Sequence, residues 1–377
     1  MKTFCFLLSF ILGAAGVGYG AAAAVPTPAT NTAALGRRPA PVRSPEVLPN
    51  GQVTFRLRAP KAAEVAVTGQ WTKERLVMAR NADDIWTVTS GPIDAGVWEY
   101  NFQVDGLTMI DPGNPAIKPM REPRTSILHI PGQPPRLTDF QDVPHGVIRN
   151  HSYFSKSLGR LRELAVYTPP GYDGSRKRYP TLYLQHGSGD NQATWVVHGK
   201  AHWILDNLIA QGRARAMVIV MMDGHAALPG ATNNVALFER DLLEDVMPFV
   251  ETNYRVRANA TDRAIVGLSM GGGQSLTIGM KHTDRFAWVG GFSASVPSRE
   301  ALGATLDHPE TLNKKLKLLW IACGQDDFLL KRNQEFIALL KEKNLQHEWY
   351  LTGGDHSWPV WREYLGDIAC RLFKSPQ

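Results

Sequence analysis

Apolar residues along this chain keep two different rhythms, and the change between them falls near Ser152. Before it, hydrophobic and polar side chains alternate: Val53, Phe55 and Leu57, then Val65 and Val67, then Trp98, Tyr100, Phe102 and Val104. A period of two sends successive side chains to opposite faces of a strand, and Gly- and Pro-containing turns break the runs. This predicts a small immunoglobulin-like β-sandwich over residues 49–132. After Ser152 the apolar runs become nearly continuous, as in TLYLQ, MVIVMM, WVGGF, KLLWIA and EWYL. Helical patterns separate them, near His198–Gln211, Phe238–Tyr254 and Lys331–Lys343, with one more at the end. Phe238, Leu242, Val246, Phe249 and Val250 fall on one face at helical spacing. Strands buried on both sides and alternating with helices imply an α/β domain with a mostly parallel sheet, over residues 151–377. Residues 25–48, rich in Pro and Ala, and residues 133–150 read as linkers.

Within the second half, Arg263–Gly279 carries the sharpest signal. Ala264, Ile265 and Val266 make a short strand that breaks at Gly267-Leu268-Ser269-Met270-Gly271 and continues as a helix of small and apolar residues. A serine at the apex of a strand, sharp turn and helix is the context of a nucleophile elbow. A serine hydroxyl needs a base, and the base needs an orienting acid. Both follow in the order such a fold requires. The strand KLLWIA ends at Asp326 and Asp327, and EWYL is followed by a glycine-loosened loop carrying Asp355 and His356. Ser269 is therefore the expected nucleophile and His356 the base; the residues leave the acid open between Asp326 and Asp327. Asp355 is less suited, because the acid has to approach the imidazole from another loop. The oxyanion hole is expected from the backbone N–H of Met270 and one from the loop His186–Asp190, with Ser188 first and Gly189 behind it. Trp195 and Trp358 are candidates for stacking on an aromatic acyl group or a sugar, and Asp223 and His225 for the polar end of the pocket. Because every candidate catalytic residue follows Pro180, the sandwich is expected to be dispensable for small soluble esters.

Composition narrows the rest. Met1 and Lys2, the apolar run Phe4–Gly18 and the small residues Ala21–Ala24 read as a signal peptide over residues 1–24. The expectation is a secreted or periplasmic protein with no membrane span after cleavage. Of three cysteines, only Cys323 and Cys370 lie outside that segment; two buried free thiols are expected, a single disulfide being the alternative. A net charge of +6 and a pI near 9.2 come from scattered Lys and Arg without a basic-aromatic pattern, so no nucleic acid is expected as a partner. His198 and His202 stand four apart without a third ligand and read as a solvated helix pair rather than a metal site. No cofactor or metal is implied.

The chain from Tyr153 to Phe373 resembles carbohydrate esterase family 1, which comprises feruloyl esterases, acetylxylan esterases and their relatives. The resemblance rests on YTPPGYD (Tyr167–Asp173), LYLQHGSGD (Leu182–Asp190), GLSMGGG (Gly267–Gly273), CGQDDFL (Cys323–Leu329) and GGDHSWPVW (Gly353–Trp361). It implies an α/β-hydrolase fold and a serine carboxylic-ester hydrolase, with the family's acid falling on Asp327. Residues Gly51–Trp71, Gly96–Gly106 and Asp111–Pro115 resemble carbohydrate-binding module family 48, without the second tryptophan of its starch-binding members. Together these imply a feruloyl esterase acting on feruloylated or acetylated plant polysaccharide or oligosaccharide, most specifically on xylan. An acetylxylan esterase and an enterobactin-type siderophore esterase share the same machinery. A polysaccharide-binding protein without turnover is the alternative from a different class.

Overall fold

The alternating N-terminal runs fold into antiparallel strands in a computed structural model that describes residues 41–374. The segment read as a signal peptide lies outside the described residues. One sheet has four strands in the order Glu46–Val47, Val53–Arg58, Ile85–Ser90 and Ala79–Arg80. The other runs Leu76–Val77, Val65–Gly69, Gly96–Val104 and Leu107–Met109, with Ser126–Ile130 also pairing to Gly96–Val104. The two sheets share one core, in which Val53, Phe55 and Leu57 meet Val65, Val67, Tyr100, Phe102 and Leu128. All but Leu128, which comes from Ser126–Ile130, are inward members of the period-two runs.

The second half is an eight-stranded mixed sheet. Its strands in chain order are β1 (Val147–Ser155), β2 (Arg160–Thr168), β3 (Thr181–Gln185), β4 (Val218–Met222), β5 (Arg263–Leu268), β6 (Trp288–Phe292), β7 (Leu318–Gly324) and β8 (Glu348–Thr352). They lie side by side as β1-β2-β4-β3-β5-β6-β7-β8. β2 is antiparallel to both of its neighbours, and every pair from β4 to β8 is parallel. β3 to β7 are buried throughout, because helices cover both faces of the sheet. Two apolar clusters result, one centred on Tyr183, Val220, Ile265 and Phe336, the other on Leu184, Ile219, Val266 and Trp320.

Several elements differ from the pattern-based expectation. The helix expected from His198 begins at Ala201, after a short turn of helix over Thr194–Val197 and a left-handed Lys200 at φ 56°. The one expected from Phe238 starts at Asn234 and passes through a π-helical turn over Asp241–Val246. There the fully buried Asp241 accepts hydrogen bonds from Tyr153 Oη at 2.8 Å and Arg162 Nε at 3.1 Å. The stretch 133–150 is pinned rather than loose. Asn207 Nδ2 donates to the carbonyls of Leu137 and Asp139 at 2.9 and 3.0 Å, and β1 already begins at Val147.

The N-terminal sheets and the α/β half belong to one compact unit from Val42 onward, and a buried polar seam joins them. Arg362 donates to Val97 O at 3.0 Å and to His198 O at 3.1 Å. His198 Nε2 lies 3.0 Å from Arg362 Nη2 and 3.1 Å from Glu99 Oε1. His198 is thus fully buried, not solvated, because it neighbours charged groups from both halves. His202 is partly buried on the following helix, and burial pulls its imidazole down to about 4.

Candidate active site

β5 delivers Ser269 at φ 51°, in the left-handed region that only a sharp turn demands of a serine. The helix Ser269–Lys281 leaves directly from it. Strand and helix approach so closely that a Cβ on Gly267 would fall 2.5 Å from the Gly271 carbonyl, and one on Gly271 2.4 Å from His186 O. Neither position has room for any other residue.

Ser269 Oγ stands 3.0 Å from His356 Nε2, on the loop between β8 and the helix Trp358–Ala369. His356 Nδ1 lies 3.0 and 2.9 Å from the two oxygens of Asp327. Asp326 and Asp355 are exposed and take no part. The turn after β7 decides between the two aspartates, since it sends Asp327 inward and Asp326 to solvent. Burial alone would raise the Asp327 carboxyl, but hydrogen bonds from His356, Ser293 and the Leu329 amide hold it below its ordinary value. It is therefore an anion at neutral pH, placed to keep a proton on Nδ1 and leave Nε2 free to accept one from Ser269. Two aromatic rings frame the imidazole: Trp361 edge-on at 4.9 Å, and Phe328 at 4.4 Å with 75% of its surface exposed. Cys323, at the end of β7, is a free buried thiol pushed up to about 12, mainly by burial, which makes it inert; Cys370 is also free.

A cavity of about 160 Å³ opens beside Ser269 and His356. Gly187 and Ser188 line it, and a Cβ on Gly187 would come within 3.3 Å of Ser269 Cβ. Met270 is the second residue of its helix, so its N–H has no acceptor within the helix. Gly189 is placed differently from expectation. Its N–H donates to His225 Nε2 at 3.2 Å, so this amide is already spent within the protein. His225 and Asp223 accordingly stand behind the loop instead of lining the cavity. Asp223 Oδ1 accepts the His225 N–H at 2.9 Å and lies 3.5 Å from His186 Nε2. Burial would raise the Asp223 carboxyl, yet these partners bring it down to about 2. Trp195 is also displaced: it is 1% exposed, its Nε1 donates to Gln185 O at 3.0 Å, and its ring packs edge-on against Trp358. An apolar ring beside buried strand ends is core, whatever its distance in sequence from the loop. Trp358 is 2% exposed but does form part of the cavity wall, with Trp361 and Leu268.

Four further wall residues come from the N-terminal sheets and the segment after them: Gln70, Glu99, Lys118 and Met120. Met120 forms an antiparallel bridge with Asp190, and Arg121 N donates to Gly189 O at 2.9 Å. The first half of the chain therefore braces the loop after β3 and walls one side of the cavity, a contribution that the expectation of dispensability leaves out. Nothing in the sequence pattern marked these residues. The i, i+3 spacing of Trp358 and Trp361 after the His356 loop did carry a signal for Trp361.

Residues 155–372 match the model of the esterase family described as "Putative esterase". The chain belongs to this esterase family. An endo-1,4-beta-xylanase/feruloyl esterase of Xylanibacter ruminicola is 31% identical over 352 residues, covering 88% of this chain and 46% of the relative. The chain thus spans about half the length of that relative. A solved ferulic acid esterase is 27% identical, with a TM-score of 0.54, over 61% of this chain and 100% of its own. The enterobactin esterase of Shigella flexneri shares the fold at 20% identity and a TM-score of 0.62, over 85% of this chain and 93% of its own. The structural likenesses include carbohydrate esterase family 1 members, such as a ferulic acid esterase of Anaeromyces mucronatus at 24% identity and a TM-score of 0.56, over 62% of this chain and 93% of its own.

Proposed function

We propose that this esterase is an exported feruloyl esterase that releases ferulate from plant cell-wall xylan. The observation that carries the reading is the hydrogen-bonded chain Ser269–His356–Asp327 opening onto a small, aromatic-walled cavity. In the reaction Ser269 Oγ attacks the ester carbonyl carbon and passes its proton to His356 Nε2. Asp327 holds the imidazole and stabilises the imidazolium that forms. The N–H groups of Met270 and Ser188 receive the developing oxyanion. Collapse expels the alcohol, which takes the proton from His356 and leaves an acyl-serine. Water then repeats the sequence and frees the acid.

The acyl preference follows from size and lining. The cavity, at about 160 Å³, is open to solvent and polar on one side, while Leu268, Met120, Trp358 and Trp361 give it an apolar, partly aromatic side against which a ring can pack. It suits a planar aromatic group better than an acetyl group. The similarity to a xylanase/feruloyl esterase supports the same choice. Residues 1–24 act as the export signal in this reading. Residues 49–132 form the carbohydrate-binding-module-48-like, immunoglobulin-like sandwich that brings the hydrolase, residues 151–377, to polymer.

Ser269→Ala is expected to fold normally, lose covalent labelling by a fluorophosphonate, and lose about a million-fold in kcat. Wild-type kcat/KM for methyl ferulate is expected to exceed that for methyl acetate. Near-wild-type turnover by the alanine variant would end the mechanism. Faster turnover of the acetyl ester, or of a catechol trilactone, would end the feruloyl assignment alone.

A further inference from the structure

Ester hydrolysis as derived above uses the apolar part of the cavity wall and leaves its polar part unexplained. Lys118 reaches the cavity from the first half of the chain with its side chain only 8% exposed. Its Nζ donates to Glu99 Oε1 at 3.0 Å and stands 3.3 Å from Asp190 Oδ1. Glu99 is fully engaged. Its Oε1 also faces His198 Nε2 at 3.1 Å, and its Oε2 accepts from Thr125 Oγ1 at 2.9 Å.

Asp190 is different. It is 4% exposed, lines the cavity two residues after Ser188, and its one close cationic partner is Lys118, which only partly offsets the burial that raises its carboxyl above the ordinary value. Oδ1 is shielded and paired with Lys118 at 3.3 Å, which leaves Oδ2 to meet a ligand. A buried acceptor without a donor is unfavourable, and more so for a charged group. Lys118 meanwhile has three donors and directs one hydrogen bond into the protein, to Glu99. A carboxylate oxygen left to the cavity, Asp190 Oδ2, beside an ammonium with donors to spare is complementary to a group that both donates and accepts. Among the parts of a natural ester, that group is a hydroxyl.

We propose that Asp190 and Lys118, one from each half of the chain, form a hydroxyl-binding subsite of the catalytic pocket. Asp190 accepts the hydrogen of a substrate hydroxyl, and Lys118 donates to its oxygen. The subsite makes both residues determinants of specificity, and this rests on the esterase reading of Ser269. The hydroxyl belongs either to the phenol of the acyl group or to the sugar that leaves.

The test uses the full chain and three esters: methyl ferulate, methyl 3,4-dimethoxycinnamate, which lacks the phenolic hydroxyl, and a feruloylated arabinose, which adds sugar hydroxyls. Wild type is compared with Asp190→Asn and Lys118→Met, and fluorophosphonate labelling of Ser269 scores the folded site. Losing a hydrogen bond to a charged partner is expected to lower kcat/KM for the hydroxyl-bearing ester about tenfold or more relative to the ester without it. A fall in the ratio of methyl ferulate to its dimethoxy analogue assigns the phenol. A fall only in the ratio of feruloylated arabinose to methyl ferulate assigns the sugar. Equal losses on all three esters in labelled, folded variants would overturn the subsite and leave the pair as mere support for the loop. A wild type that labels but turns over no feruloyl ester would instead remove the feruloyl assignment, an outcome visible before any variant is made.

Discussion

Replacing Arg362 with Met is the most informative way to probe the seam between the two halves. Arg362 is 6% exposed and donates from Nε to His198 O at 3.1 Å and from Nη1 to Val97 O at 3.0 Å. Its Nη2 sits 3.0 Å from His198 Nε2, and its guanidinium approaches the ring of Trp358 to 6.0 Å. Methionine keeps most of the stem's volume but supplies no donor, so the Val97 and His198 carbonyls stay buried and unsatisfied. The nearby Glu99 loses one of two cations around it and keeps Lys118 at 3.0 Å. Removing one partner from a buried charged cluster costs about 3–5 kcal/mol. An unfolding entropy of about 2.1 cal/mol/K per residue gives roughly 0.7 kcal/mol per K for the 334 described residues, 41–374. The expected loss in Tm is therefore about 4–7 °C, read by scanning calorimetry at pH 7.5. Wild type is expected to unfold in one transition, because the seam and the bridge between Met120 and Asp190 tie the halves together. A shift below about 1 °C, or a wild type that melts in two well-separated steps, would show that the seam contributes little and that the halves are independent.

The remaining predictions concern the acid and the pH response. Asp327→Asn is expected to lower kcat about ten-thousand-fold, by allowing the wrong imidazole tautomer, whereas Asp326→Asn stays within a few-fold because its side chain faces solvent; steady-state kinetics on methyl ferulate that rank them the other way would reassign the acid. Burial, followed by the charge of Arg362, brings His198 down to about 3 from its ordinary 6.5. A histidine held neutral stabilises the fold fully above its ordinary value and progressively less as pH falls from there toward its folded value, by up to about 1.4 kcal/mol per pH unit. Glu99 is also held down: burial works against this, and His198 and Lys118 outweigh it, so its contribution is lost only at lower pH still. Tm is expected to drop by about 3–4 °C between pH 6.5 and 4.5 from His198 alone, and His202, held down to about 4 by burial, adds to the drop; a flat profile over that interval would contradict the buried neutral His198.

Local pattern was enough for those features that depend on a residue and its near neighbours. The period-two runs became the paired sheets, because strand geometry sorts side chains by face whatever lies beyond them. Near-continuous apolar runs became β3 to β7, because only strands covered on both faces hide every side chain. The elbow could be read from Gly267, Ser269 and Gly271, since the constraint that selects glycine there acts within one turn of chain. Ser269 and His356 followed from their order along the sheet's edge. Other features depended on which surfaces meet. From the residues alone the acid stayed open by one position, and only the turn that buries Asp327 and exposes Asp326 separates them by contact. Trp195 sits beside the loop after β3 in sequence yet points into the core, because the short helix carrying it folds back under Gln185. Gly189 lost its expected role to a contact with His225, thirty-six residues away. The polar wall of the cavity was invisible for the same reason. Lys118 and Asp190 are unremarkable in their own segments and acquire a shared role only when the first half of the chain docks on the second, burying both charges beside the nucleophile.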